Sequence, residues 1–560
     1  MSLLVRTLFQ AFGSSTLREF QRQCATPINT QQKLLIQLLG QNRDTEYGKI
    51  HRFAGISNIK DFQKQVPIVG YEELQPYIEK EMSGVKNQLT LRKPIFYAVT
   101  SGTTGASKYI PVTPESRTVK SKLVRVWLSA MFRDHPGIFA GKILQVASPE
   151  VEGRTAADVP FGSESGHAYR NMPATMKKMY SVPYETYEIK DYDAKYYTLL
   201  RLAAGDSISA IASVNPSSVL LLAKRLADYT EHILRDIRDG TLRTDLDVHP
   251  SIRNKLERGL RPDPDRAGRL EQAARENGGK LLPKGAWPDM EIIACWKGGT
   301  VGQYLEQFDE YFPNGIATRD LGYLSSENRG SVPLTDEGDS GVLAIATNFY
   351  EFFPEDASGT PEGPDLLTAA ELEVGRHYFI YVTTLGGLYR YDMNDIIEVT
   401  GYYQDTPLIR FVQKGKGVVS FTGEKLYETQ VLAAVGKAFT GVPQRPEFIA
   451  AVGEMHGDRP RYVFLVEFDA PPDESEGIGL AARLEQALCE SNIEYAAKRD
   501  SKRIGPPVLR IVRSGEFDSY RQRMVEQGRT DGQFKVLRLT SDISFAREFS
   551  SVCDYAADSQ

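Results

Sequence analysis

Stretches whose apolar positions recur at helical spacing alternate along the chain with short apolar runs bounded by turn residues. The first 90 residues are mainly of the former kind. In 31–39 the apolar positions can share one helix face, with Gly40 as the predicted stop. Apolar runs that predict strands follow at 95–99, 143–147, 208–213 and 291–295. Helical stretches such as 217–238 separate them, and this alternation predicts a layered α/β sheet. Residues 239–280 are charged and contain prolines, which predicts a solvated excursion of short helices. Further strands are predicted at 341–346, 378–383, 395–400 and 409–412. The pattern changes at Gln413-Lys414-Gly415-Lys416-Gly417, a basic, glycine-flanked hinge candidate. Beyond it, strands at 447–452, 461–468 and 508–512 around a helix at 479–496 predict a compact α+β domain. The expected organisation is thus a large layered α/β domain over 1–412 and a smaller α+β domain over 413–560.

Composition narrows the function. A chain of 560 residues, 41% hydrophobic and 25% charged, is an ordinary globular composition too long for one small core. Its 67 basic and 73 acidic residues give a formal charge of −6 with the basic residues scattered, which argues against a nucleic-acid surface. Cys24, Cys295, Cys489 and Cys553 form no CxxC pair, which disfavours a zinc ribbon and suits a reducing compartment. The first nine residues lack the basic start and apolar core of a secretory signal and predict a short amphipathic helix. No window approaches the ~20 apolar residues of a membrane span. The expectation is a cytoplasmic protein with neither nucleic acid nor membrane as partner.

Three segments carry chemistry. Thr100-Ser101-Gly102-Thr103-Thr104-Gly105-Ala106-Ser107-Lys108 follows a predicted strand and is dense in backbone amides, hydroxyls and one cation, a composition suited to holding phosphate. Its glycine and lysine spacing is not that of a Walker P-loop. The second, Asp320-Leu321-Gly322-Tyr323-Leu324-Ser325-Ser326-Glu327-Asn328, offers a ring on which a base can stack and a carboxylate for a hard cation. In the third, Gly387-Leu388-Tyr389-Arg390-Tyr391-Asp392-Met393-Asn394-Asp395, a carboxylate at a strand boundary could accept both ribose hydroxyls. Gly205-Asp206-Ser207 mimics a carrier-protein signature without a carrier module around it. No histidine forms a close motif with Ser or Cys, so nothing favours a Ser/His/Asp hydrolase.

The order of these segments, followed by a glycine-flanked hinge and a small terminal domain, resembles the adenylate-forming superfamily. More closely, from about residue 30 to 545, the chain resembles the auxin-responsive acyl acid-amido synthetases, the Gretchen-Hagen-three family. The tail Gly532-Gln533-Phe534-Lys535-Val536-Leu537-Arg538 is similar to that family's Gln-Tyr-Lys-Thr-Pro-Arg run. The resemblance implies ATP- and magnesium-dependent activation of a carboxylic acid, followed by transfer of the acyl group from acyl-AMP to an amine, usually that of an amino acid. It implies phosphate contacts from Ser101, Gly102, Thr103, Thr104, Gly105 and Lys108. Tyr323, Ser325 and Ser326 would line the adenine pocket, Asp395 would take the ribose hydroxyls and Glu327 would bind magnesium. Lys535 is the candidate catalytic cation from the small domain, with Lys425 as a second. Val124, Ser165, Gly166, Gly298 and Gly299 fall on segments that by analogy line the acyl pocket, and the small domain would swing about the hinge between half-reactions. Two departures stand out: Asn394 replaces the glycine of the superfamily's Tyr-Arg-x-Gly-Asp segment, although asparagine can also adopt the left-handed conformation, and Leu537 replaces a proline. Thioester formation with coenzyme A or a carrier, and nucleotide binding without turnover, remain the alternatives.

Overall fold

Runs rich in Ile and Ala form a parallel sheet in the order Lys142–Gln145, Ile208–Ala212, Ile292–Ala294, Ala317–Arg319. Both faces are covered, which is why these strands read as continuous apolar runs. Ile211 and Ile293 pack with Tyr196, Leu200 and Leu222 on one face, and Ala210 and Ile292 with Trp127 and Met131 of helix Pro114–Asp134 on the other. The computed structural model describes residues 15–557 except 101–107, 148, 299–303, 358–360, 416–417, 420–425, 443–445, 457–458, 469, 501–503, 528–538 and 541–543. Two compact units divide the chain, Met1–Phe411 and Val412–Gln560.

The larger unit holds two further sheets. In one, Phe96–Thr100 pairs antiparallel with Lys108–Val112, with Thr100 opposite Lys108, so residues 101–107 connect the two arms of a hairpin. The other is six-stranded, in the order Phe349–Pro354, His377–Thr383, Tyr391–Tyr403, Thr406–Lys414, Gly341–Leu343, Ser331–Val332. One core runs from Leu35, Leu38 and Phe62 of the N-terminal helices through Phe96 and Ile110 of the hairpin to Tyr350 and Tyr389.

The smaller unit carries a five-stranded sheet in the order Leu539–Thr540, Pro446–His456, Arg459–Phe468, Val508–Val512, Ser551–Ala556. Leu480, Leu484 and Leu488 of helix Glu474–Ser491 pack on its Phe464 and Val466. The layered α/β character of the larger unit and the α+β character of the smaller are those the sequence predicts.

Several boundaries differ from expectation. Helix Pro27–Asn42 runs through Gly40, because buried Leu38 and Leu39 anchor it and Asn42 bonds back to the Leu38 carbonyl at 3.1 Å. That outweighs the roughly 1 kcal/mol that an exposed glycine costs. The single helix predicted over 217–238 is two, Pro216–Asp228 and Thr230–Asp239, separated at Tyr229. There the Thr230 hydroxyl donates back to the Ala227 carbonyl and accepts the Leu281 amide, which bends the backbone. The strand that holds Asp395 begins at Tyr391 rather than at 395. The predicted helix over 479–496 is likewise two, Glu474–Ser491 and Ile493–Asp500.

Candidate active site

At the C-terminal ends of two neighbouring parallel strands, the Asp320 carboxylate ties their exit loops together. It accepts from the backbone amides of Lys297 and Gly322, each at 2.6 Å. Burial pushes its pKa up to about 6. Gly322 sits at φ 81°, and a Cβ there would lie 2.5 Å from the Ser331 carbonyl oxygen, so the turn requires glycine. The chain thereby enters the segment that holds Tyr323.

Tyr323 to Gly330 form a tight hairpin. Leu324 bridges Arg329, the Ser325 amide donates to the Asn328 carbonyl at 2.7 Å and the Asn328 amide returns to Ser325 at 3.3 Å. Ser326 and Glu327 therefore occupy the two-residue tip. The Ser325 hydroxyl accepts from the Asn328 amide at 3.2 Å and so closes the turn. Behind it, Asn328 is fully buried and its Oδ1 accepts from Asn348 and from the Tyr350 phenol.

Tyr323 and Asp395 meet: the phenol donates to Oδ2 at 2.7 Å, and both side chains are buried. The Tyr323 ring stacks parallel to Phe411, 6.3 Å between centroids. Asn394 has φ 48°, the left-handed conformation expected where the superfamily has glycine, and its amide bonds the Asp392 carboxylate at 2.7 Å. Four residues before Asn394, Arg390 is fully buried. It forms a two-pronged pair with Glu351, both bonds 2.9 Å, and donates to the carbonyls of Gln63, Val66 and Gly363. It is structural.

Glu327 lines a cleft together with Ser116, Lys120, Arg329, Asn348 and Thr384. Lys120 donates to Glu164 at 2.6 Å and to the Ser326 carbonyl at 2.9 Å, holding the turn tip against helix Pro114–Asp134. Ser116, Val119, Lys120 and Leu123 lie at helical spacing on the face that lines the cleft. Neither Lys120 nor Arg329 was marked by any motif. The 116–119–120–123 spacing was readable, but what that face meets was not.

The remaining predicted residues are placed as follows. Lys108 begins the second arm of the hairpin with its Nζ 5.4 Å above the Tyr71 ring. Val124 is half-buried beside Leu123. Ser165 exchanges a 2.9 Å bond with Ser163, and Gly166 is buried in helix Glu164–Arg170. Gly298 abuts Asp339, whose Oδ2 would lie 2.2 Å from an added Cβ. Ser101, Gly102, Thr103, Thr104, Gly105, Gly299, Lys425 and Lys535 lie outside the described residues. No cluster of three or more His, Cys, Asp or Glu that could hold a metal occurs among the described residues. Glu327 is thus a single carboxylate facing a polar cleft. That donor set fits magnesium, which is commonly held by one or two carboxylates together with substrate phosphates.

In its fold the chain is similar to an acyl acid amido synthetase, GH3.15, with a TM-score of 0.85 at 22% identity over 96% of each chain. Three successive segments match the GH3 family: its N-terminal domain over residues 16–316, its central domain over 341–414 and its C-terminal domain over 429–543. The chain belongs to the GH3 family. Curated relatives include the indole-3-acetic acid-amido synthetases GH3.6 and GH3.17 of Arabidopsis thaliana. They are 26% and 27% identical, over 91% of this chain and 88% and 90% of theirs. A second structure, of the GH3.15 enzyme in complex with 2,4-DB, has a TM-score of 0.84 at 22% identity over 98% of each chain.

Proposed function

We propose that this protein is an ATP-dependent acyl acid-amido synthetase: it activates a carboxylic acid as acyl-AMP and passes the acyl group to an amine, an amino acid in the first instance. The observation that carries this reading is the meeting of three elements in one unit. These are the buried Tyr323–Asp395 pair, Glu327 at the tip of a tight turn, and a polar cleft lined in part by Pro111, on the hairpin strand that follows residues 101–107.

Residues Ser101 to Gly105 and Lys108 hold the phosphates, while Tyr323, Ser325 and Ser326 line the adenine pocket. Asp395, fixed by the Tyr323 phenol, orients the ribose. Attack of a carboxylate on the α-phosphate brings two anions together, so positioning and charge neutralisation are the main tasks and no protein nucleophile is needed. Glu327 holds magnesium, which supplies charge neutralisation when bound. Lys535, with Lys425 as a second cation, stabilises the pentavalent phosphate. Val124, Ser165, Gly166, Gly298 and Gly299 belong to the acyl pocket. The adenylating machinery thus falls in 1–412, and 413–560 brings Lys425 and Lys535. A cytoplasmic setting accords with four free cysteines, and no helix among the described residues is long and apolar enough to cross a membrane.

The test is ATP–pyrophosphate exchange across a broad panel of acids. Acid-dependent exchange is expected, and its absence with every acid overturns the reading. Product mass with an amine or a thiol as acceptor then separates the amide from the thioester.

A further inference from the structure

Two fully buried arginines have carboxylate partners at hydrogen-bond distance. Arg390 pairs with Glu351, and Arg319 with Asp134 and Asp336 at 2.7 and 2.6 Å. Arg329 forms a single long bond, from Nη2 to the Leu321 carbonyl at 3.4 Å, and its Nε is buried without a partner. Glu164, a carboxylate whose charge favours the cation, is already bonded to Lys120. A guanidinium has five donors in a planar fork and stays charged, so leaving it under-partnered costs free energy that an incoming anion would recover.

We propose that Arg329 is the protein's charge partner for the pyrophosphate half of ATP, binding the β- and γ-phosphates before adenylation and pyrophosphate as it leaves. This rests on the adenylation reading above. The position of Arg329 supports it. Arg329 stands at the foot of the turn whose tip carries Glu327, and both line the same cleft. The facing wall includes Pro111, on the strand whose first residue, Lys108, closes the hairpin carrying 101–107. Ser116, Asn348 and Thr384 also line the cleft. A polyphosphate ordinarily arrives with a divalent cation, which would offset Glu327 on the same cleft.

In the reaction, a carboxylate oxygen bonds to the α-phosphorus as the bond from that phosphorus to the bridging oxygen breaks. The electron pair departs on pyrophosphate, and Arg329 meets that developing charge with paired N–H donors. No proton is transferred. Gly330 and Ser331, next in sequence, bond the Tyr323 carbonyl at 2.7 and 3.1 Å, so one turn spaces the base end of the nucleotide from its phosphate end.

The experiment compares the wild-type chain with R329Q and R329K. It uses titration calorimetry with inorganic pyrophosphate and magnesium chloride, and exchange kinetics that separate KM for pyrophosphate from KM for the acid. R329Q should weaken pyrophosphate binding and raise its KM about tenfold or more, with KM for the acid within about twofold of wild type; R329K should recover part of the loss. Unchanged pyrophosphate binding and KM in a folded R329Q chain, or a rise confined to the acid's KM, overturns the proposal. Should R329Q not fold, R329K is read in the same way, a raised KM for pyrophosphate supporting the proposal and an unchanged one overturning it. Failure of the wild-type chain to exchange with any acid sinks the adenylation reading and this proposal with it, whereas wild-type exchange that R329Q leaves untouched sinks this proposal alone.

Discussion

The phenol of Tyr323 donates a 2.7 Å hydrogen bond to Oδ2 of Asp395, joining side chains 72 residues apart that are both buried. Tyr323→Phe removes one donor from a buried carboxylate. It should destabilise the larger unit by about 1–3 kcal/mol, read by urea denaturation, and should raise KM for ATP. An unaltered KM would detach Asp395 from the ribose role.

Glu327 projects from a two-residue turn tip closed by backbone bonds on both sides. Glu327→Ala should abolish magnesium-dependent adenylation without a large loss of stability, because the turn's bonds are made by Ser325 and Asn328. Near-normal exchange by this variant counts against its role as metal ligand.

Lys535→Ala should impair acyl-AMP formation while leaving ATP binding largely intact. Single-turnover measurements of each half-reaction decide this. If only the transfer to the amine slows, Lys535 belongs to the second step instead.

Glu351 is fully buried opposite Arg390. Arg390→Met should leave that carboxylate without its counter-charge and cost about 3–5 kcal/mol. Thermal and denaturant unfolding would register the loss before any effect on turnover could be assigned.

Burial raises the Glu81 carboxyl from 4.5 to about 7. Its Oε1 accepts the Leu89 amide at 3.1 Å, whereas its Oε2 has no partner. A carboxyl whose folded pKa exceeds its unfolded value binds its proton more tightly in the native state. Its contribution is therefore fully present below about pH 4.5 and is lost as pH rises through about 7, some 3 kcal/mol in all at 1.36 kcal/mol per unit. Glu81→Gln removes this titration, so the stability of the variant relative to wild type should improve between about pH 4.5 and pH 7 and level off above that. A difference that is flat over that range would place the Glu81 carboxyl in its ordinary range.

The buried parallel strands at 143, 208 and 292 were legible because strands covered on both faces have continuous apolar runs. The left-handed Asn394 was legible too, since the residue type itself permits φ 48°. The hairpin arm Lys108–Val112 was not, because its Lys-Tyr-Ile-Pro-Val sequence carries no strand-like alternation and its pairing depends on Phe96–Thr100. The Tyr323–Asp395 bond and the Lys120–Ser326 contact lie beyond any spacing rule, since 72 and 206 residues separate the partners. Arg329 escaped for a plainer reason. A lone arginine resembles a surface charge until its surroundings show what it lacks.

Arg390 fastens together segments that the ribosome delivers far apart in time. Its bond to the Gln63 carbonyl spans 327 residues, which at about 5–20 residues per second is roughly 16–65 s of synthesis. During that interval the N-terminal helices have neither Arg390 nor the six-stranded sheet against which Leu35 and Phe62 pack. The core that the N-terminal helices share with the sheet is therefore completed only once residues 349–403 have emerged.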